Sequence, residues 1–209
     1  MDNKISVWTT ETTQKGGSFS SDNFENIFFS LQKIVHLPVK INNQIITSKK
    51  IVLVFTSKHA IKALSTNNFD KNVLVGCVGK NTAQEIIDQG FKNVFYPQFY
   101  SAENLYQKIL EKIPKDFLVL YFSGNKIRFN ISGALQKKGF KTKRFIAYKT
   151  IDVNFLPKKI KDGIQKKYIS HVSFSSIGAF LNFKRLIENN NLDCRYMTAL
   201  CISKDVANV

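Results

Sequence analysis

The chain has 209 residues, 44% of them hydrophobic and 22% charged, which suits one or two domains with a sizeable core. Lys and Arg outnumber Asp and Glu by 31 to 15, and the net charge of +16 fits a polyanionic small molecule, a membrane surface or nucleic acid. Cys77, Cys194, Cys201 and three scattered histidines lack paired spacing, which argues against a zinc site or disulfide framework, and no apolar run reaches membrane-spanning length.

The only arginines are Arg128, Arg144, Arg185 and Arg195. Scarce Arg weighs against nucleic acid, because bidentate recognition of bases and phosphates favours guanidinium. A Lys-rich genome would leave the same excess. A soluble, cytoplasmic, monomeric protein is expected, with neither a metal nor a nucleic-acid or membrane partner.

Residues 5–8 form a short first strand, and 9–23, with Gly16-Gly17 and several Ser and Thr, read as a loop. Phe24, Ile27, Phe28 and Leu31 recur at helical spacing, which predicts a helix over 24–34. Residues 36–41 read as an extended piece closing a β-α-β unit, and Asn42-Asn43 signals a turn. Strand and helix then alternate: strand 51–55, helix 60–64, strand 73–78, helix 82–89 capped by Gly90, strand 91–97. Ser101 can cap a helix to Lys112, with Asn104 where a capping box would place Glu. A strand over 117–122 breaks at Ser123-Gly124-Asn125, before a helix over 128–138 capped by Gly139 and a strand over 144–149. Beyond Pro157, Ile160 and Ile164 give the Lys-rich stretch 158–167 the spacing of an amphipathic helix with a solvated basic face. Such alternation implies parallel β-α-β units.

The stretch 51–61 is a continuous apolar run that ends abruptly in Thr56-Ser57. A run of this kind marks a strand buried on both faces, and it sets the hydroxyl pair at the carboxyl end of the strand, where free N–H groups can hold an anion. The pattern returns at 171–180, with Phe174-Ser175-Ser176 matching Phe55-Thr56-Ser57 and Ala179 matching Ala60. The strand at 73–78 likewise has an echo in 198–202, with Ser203 where Gly79 stands. One unit has been used twice. The second copy ends at Val209, one turn into a helix begun at Lys204, so that half is expected to be short or a fragment.

Taken in order, Phe55-Thr56-Ser57, Cys77-Val78-Gly79-Lys80, Tyr121-Phe122-Ser123-Gly124-Asn125, Gly139-Phe140, Tyr148-Lys149-Thr150 and Val172-Ser173-Phe174-Ser175-Ser176 resemble uroporphyrinogen-III synthases. The resemblance implies two Rossmann-like or flavodoxin-like α/β domains with parallel sheets, one inserted into the other and joined by a two-segment linker. Residues 1–38 plus 153–209 would form the discontinuous domain and 43–147 the inserted one. The Phe55-Thr56-Ser57 and Phe174-Ser175-Ser176 turns would then lie in separate domains and face one cleft. The chain departs from the family's usual pattern at Thr10 and Ser123, where arginine is common, and at Ser203, where glycine is expected.

The implied substrate is hydroxymethylbilane, a linear tetrapyrrole with eight carboxylates, cyclised with loss of water and inversion of the last pyrrole ring. No cofactor is implied. Backbone amides and hydroxyls at strand ends suit such a substrate, since they bind many carboxylates without a cation for each. Thr56, Ser57, Thr82, Ser123, Gly124, Ser175 and Ser176 are the candidate substrate-binding residues, and each hydroxyl could equally cap the helix that follows. Tyr148 matches the family's tyrosine at the exit of the inserted domain. A phenol keeps its proton at neutral pH and can donate it to a departing hydroxyl, whereas a purely structural tyrosine in the linker is the alternative. Gly76-Cys77-Val78-Gly79 has Gly-x-x-Gly spacing rather than the dinucleotide fingerprint, so no nucleotide cofactor is expected. A non-catalytic relative that binds tetrapyrrole or a partner, or less readily a basic nucleic-acid-binding module, would share these features.

Overall fold

A computed structural model describes residues 5–12 and 23–209. In chain order the strands are β1 Ile5–Thr9, β2 Phe24–Phe28, β3 Gln32–His36, β4 Ile51–Phe55, β5 Leu74–Cys77, β6 Asn93–Phe95, β7 Leu118–Gly124, β8 Lys141–Asp152, β9 His171–Phe174 and β10 Thr198–Cys201. The helices are α1 Asn43–Ile46, α2 Lys62–Ser65, α3 Lys80–Asp88, α4 Ala102–Lys112, α5 Ile131–Lys137, α6 Lys158–Gln165, α7 Ile177–Asn189 and α8 Lys204–Ala207. They divide between two units, Met1–Ile34 with Ile151–Val209, and Val35–Thr150.

The Val35–Thr150 unit is built on a sheet of order β3-β8-β7-β4-β5-β6, in which the five strands from β8 to β6 pair in parallel. Five successive apolar residues make β4 its centre because both faces are covered. Alternate side chains divide between two cores: Ile51, Leu53 and Phe55 meet Leu64, Ile86 and Phe122, while Val52 and Val54 meet Leu105, Ile109, Val119 and Leu135. Helices thus lie on both sides of the sheet, the arrangement expected of an α/β domain. Register puts Phe55, Phe122 and Phe145 abreast on β4, β7 and β8, with ring centroids 4.9 and 5.4 Å apart. Ser101 caps α4 by accepting from the Asn104 N–H, and Gly90 and Gly139 take the left-handed conformation just beyond α3 and α5.

The other unit has a parallel sheet of order β10-β9-β1-β2. Trp8, Ile27, Val172 and Phe174 form its core with Ile160 and Ile164 of α6 and Phe183, Leu186 and Ile187 of α7. Trp8 is fully buried, and its indole N–H donates to the Phe29 carbonyl at 2.9 Å.

Several sequence expectations are corrected. The helix expected over 24–34 is instead β2, a bend at Leu31 and the start of β3. Phe24, Ile27 and Phe28 satisfy helical spacing by accident. Their aromatic and β-branched side chains favour a strand, and a five-residue parallel ladder from Ile5↔Phe24 to Thr9↔Phe28 decides it. The extended piece expected at 36–41 is the end of β3, after which the chain is irregular to Asn42. The helix expected at 60–64 is a 3-10 turn, Lys58–Ala60, followed by short α2. Strand β8 is far longer than 144–149, and its polar start, Lys141 to Lys143, pairs with β7. The loop expected over 9–23 falls largely outside the described residues, Gly16-Gly17 included.

Candidate active site

In the Val35–Thr150 unit, strand order reverses between β4 and β7: β5 and β6 lie on one side of β4, β7 and β8 on the other. Open α/β sheets bind ligands outside the carboxyl ends of strands at such a switch point. Thr56 and Ser57 follow β4 there, and β7 ends in Ser123-Gly124 beside them. Thr56 Oγ1 lies 3.2 Å from the buried Tyr121 hydroxyl. Ser57 has extended backbone, and its hydroxyl accepts from the His59 N–H at 3.3 Å, capping the 3-10 turn. Both side chains are half-buried.

Ser123, another of the candidate substrate-binding residues, sits near the end of β7. It is fully buried, donates to the Gly124 carbonyl at 3.1 Å and accepts from Arg144 Nε at 2.8 Å. Arg144 also donates through Nη2 to the Gly124 carbonyl at 2.8 Å and the Asn125 carbonyl at 3.3 Å. The guanidinium therefore stiffens the end of β7, and no sequence motif pointed to it.

The ladder between β7 and β8 shifts register at this place: Ser123 pairs with Ile146 but Gly124 with Tyr148, so Ala147 has no counterpart. An irregularity of this kind re-aims a side chain. The Tyr148 ring comes over Gly124 so closely that a Cβ on that glycine would sit 2.7 Å from Cζ and 2.9 Å from the hydroxyl oxygen. Gly124 is buried and serves as the seat of the tyrosine. Asn125 closes the corner, its N–H donating to the Tyr148 carbonyl at 3.1 Å and its Oδ1 accepting from the Thr150 N–H at 3.1 Å.

His59 stands edge-on to Tyr148 at 5.6 Å between ring centroids. Burial lowers its pKa below the usual imidazole value, and the positive charge of Lys58 and the neighbouring His36 add to the effect. The folded protein thus disfavours protonation that the unfolded chain accepts near pH 6.5. Stability from this group is fully present above that pH and is lost as pH falls through the lower folded value. His59→Gln is expected to flatten the pH dependence of the urea midpoint between about pH 7.5 and 5 relative to the parent. An unchanged slope would show that His59 is not the titrating group.

Thr82, half-buried, lies in the first turn of α3, a helix whose N-cap Gly79 brings no side-chain bond. Lys58, Lys80, Lys126 and Arg128 are exposed and follow the carboxyl ends of β4, β5 and β7. Gly76 and Gly79 fit aromatic packing rather than a phosphate cradle, since a Cβ on them would meet the rings of Phe95 at 2.8 Å and Tyr100 at 3.1 Å. Burial pushes the Cys77 thiol up to about 11, which leaves it an inert packing group. Among the described residues no cluster of His, Cys, Asp or Glu could hold a metal ion, and no helix is long and apolar enough to cross a membrane.

In the other unit the switch point lies between β1 and β9. Thr10 is buried there and donates to the Ser173 carbonyl at 2.6 Å, while Thr9 donates to Asn26 Oδ1 at 2.9 Å. Ser175 is exposed just beyond β9. Ser176 caps α7, accepting from the Ala179 N–H at 3.1 Å and donating to Gln32 Oε1 at 3.3 Å. Its hydroxyl is committed to the fold more fully than that of Ser175.

A family model described as "Uroporphyrinogen-III synthase HemD" matches residues 17–209. A "Porphyrin biosynthesis protein HemD" of Ruminiclostridium josui is 26% identical over 166 residues, 74% of this chain and 32% of that protein. The chain therefore spans about a third of the length of the curated relative it matches. The crystal structure of uroporphyrinogen-III synthetase from Helicobacter pylori superposes with a TM-score of 0.67 at 18% identity, covering 98% of this chain and 86% of that one. A mutant uroporphyrinogen III synthase from Thermus thermophilus gives 0.55 at 12% identity, covering 98% and 87%. At these identities the two structures speak for the fold.

Proposed function

The chain belongs to the uroporphyrinogen-III synthase family, and from that premise we propose that it cyclises hydroxymethylbilane to uroporphyrinogen III. Water is lost and the last pyrrole ring is inverted through a spiro intermediate. The observation that carries the reading is the seating of Tyr148 on Gly124, at the switch point beside Thr56 and Ser57. The C–O bond of the hydroxymethyl group breaks as the Tyr148 phenol gives its proton to the departing oxygen. Electrons from the pyrrole nitrogen stabilise the carbon left behind, which the substituted α-carbon of the last ring attacks to give the spiro intermediate. That carbon's original bond to its bridging methylene then breaks and re-forms at the ring's other α-carbon. The proton lost as the pyrrole is restored returns the Tyr148 phenolate to the phenol. The ring system supplies the nucleophile, so the protein's tasks are to fold the chain, help water depart and steady cationic intermediates. No cofactor enters.

In this reading Thr56, Ser57 and Thr82 contact carboxylates of the substrate, with backbone N–H groups of the turns that follow, and Ser175 is the exposed candidate at the corresponding strand end of the other unit. Ser123, Gly124 and Ser176 act one step back, holding the strand ends and the tyrosine in place. The excess of positive charge favours capture of a polycarboxylate from a distance. The protein acts as a cytoplasmic monomer.

The decisive experiment supplies freshly generated hydroxymethylbilane and separates the type III product from the type I product that forms unaided. Type III product in proportion to protein is expected. Type I alone, at the rate of buffer, would overturn the proposal, and tetrapyrrole binding without type III formation would identify a non-catalytic relative instead.

A further inference from the structure

We propose that Phe99 and Tyr100 form an aromatic platform for one pyrrole ring of the linear tetrapyrrole, a specificity-determining contact for the reaction proposed above, on which this inference rests. The loop after β6 carries Tyr96, Phe99 and Tyr100, and it exposes Phe99 by 70% and Tyr100 by 59%. Large apolar side chains gathered in one exposed place mark a binding surface more often than scattered ones do. Tyr96 and Tyr100 meet edge to face at 6.2 Å.

The platform is held in advance of any ligand. The Ser101 N–H donates to the Phe99 carbonyl at 2.9 Å, which tightens the turn, and the Ser101 hydroxyl anchors it to the start of α4. One side of the Tyr100 ring rests on Gly79, where an added Cβ would lie 3.1 Å from the ring. An aromatic contact made by such a restrained loop costs little ordering entropy on binding.

Position joins it to the candidate active site. Phe55 pairs with Cys77, so Ser57 and Gly79 each follow the paired residues by two positions, and both lie at the carboxyl edge of the sheet. Strand β6 is two places from β4 in that sheet, about 10 Å at ordinary strand spacing. The Tyr148 ring sits over Gly124 at the end of β7 and the Tyr100 ring against Gly79 just beyond β5, likewise two strand places apart, so a four-ring chain engaged at Tyr148 can reach the platform with another of its rings. Exposed Lys80, next to Gly79, stands ready for a carboxylate on the same ring. A pyrrole face can stack on the aromatic rings, and cationic character in an intermediate would strengthen the contact.

Tyr100→Ala and Phe99→Ala are exposed changes and are expected to keep the parent's thermal midpoint. Each should raise KM for hydroxymethylbilane by roughly 3- to 10-fold, the size of an aromatic pair contact, with a smaller change in kcat. Anaerobic titration with uroporphyrinogen III should show matching weakening of binding, and Tyr100→Phe, which retains the ring, should restore parental values. Parental KM and product affinity in both alanine variants, with the unaltered protein active, would overturn the platform and leave the proposed reaction standing. Loss of type III formation and product binding in the unaltered protein would remove both readings together.

Discussion

Tyr148→Phe is expected to lower the rate of type III formation by about 10²-fold, while folding and product binding stay close to parental. General acid help typically contributes 10²–10⁴-fold. Because hydroxymethylbilane also cyclises unaided, its leaving group needs only modest assistance, which places the loss near the lower end. The substitution removes one oxygen and keeps the ring, so the edge contact with His59 and the packing on Gly124 both remain. Gly124→Ala makes the converse change. Its Cβ would demand space now held by Cζ and the hydroxyl oxygen, so the ring must move although the phenol is retained. If the role of Tyr148 is proton donation, both variants lose turnover. If the tyrosine were structural, Tyr148→Phe would turn over normally per folded molecule, and only Gly124→Ala would register, as a lowered unfolding midpoint. Turnover of both variants and their urea midpoints, measured together, separate these outcomes.

Much of the α/β organisation was legible because buried parallel strands announce themselves. The runs at 51–55 and 118–122 are apolar at every position, and no amphipathic helix or exposed strand produces that pattern. The hydroxyl pairs that follow such runs were legible for the same reason, since a strand of known end fixes where the next residue lies. What failed was local pattern without tertiary context. Phe24, Ile27 and Phe28 fit two periods, and only pairing with β1 chooses between them. Strand β8 gave little signal at its polar start, Lys141 to Lys143, because pairing with β7 rather than burial holds it.

The site was legible to a lesser degree. Tyr148 and Gly124 could each be singled out, yet nothing in the residue string reports the register shift that puts one on the other. Arg144 was hidden in a strand whose alternation marks it only as partly exposed, and its bonds run to residues twenty or so positions away. Ser123 shows what a residue string leaves open. A serine at a strand end looks available for ligand, but the same polarity allows a buried serine to pair with the half-buried Arg144 guanidinium. Gly79, whose spacing already spoke against a dinucleotide loop, makes room for an aromatic ring that the sequence did not point to.

Asn182→Ala is expected to destabilise the unit that contains it by about 2–3 kcal/mol, through lost buried hydrogen bonds. Asn182 is buried on α7, where Nδ2 donates to the Leu31 carbonyl at 2.7 Å and the Val153 carbonyl at 3.0 Å. Its Oδ1 accepts from Arg185 Nε at 3.0 Å and Nη2 at 2.7 Å. One amide thus ties the stretch before β3 to the stretch after β8, two segments more than a hundred residues apart in sequence. The loss stays below that of a fully orphaned carbonyl pair, because Val153 N–H still donates to Leu31 and Arg185 to Val153. Trp8 is the only tryptophan, and it lies in the core of this same unit, so its fluorescence reports unfolding there without interference from the other. At a urea slope of about 2 kcal/mol/M, the midpoint should fall by roughly 1–1.5 M. Asn182→Asp isolates the donors: it keeps an acceptor for Arg185 but turns a carboxylate oxygen toward the two carbonyls. It should destabilise comparably if the amide donors matter. A parental midpoint for Asn182→Asp would mean that the Arg185 contact alone stabilises this junction, and a parental midpoint for both variants would dismiss the network as a contributor to stability.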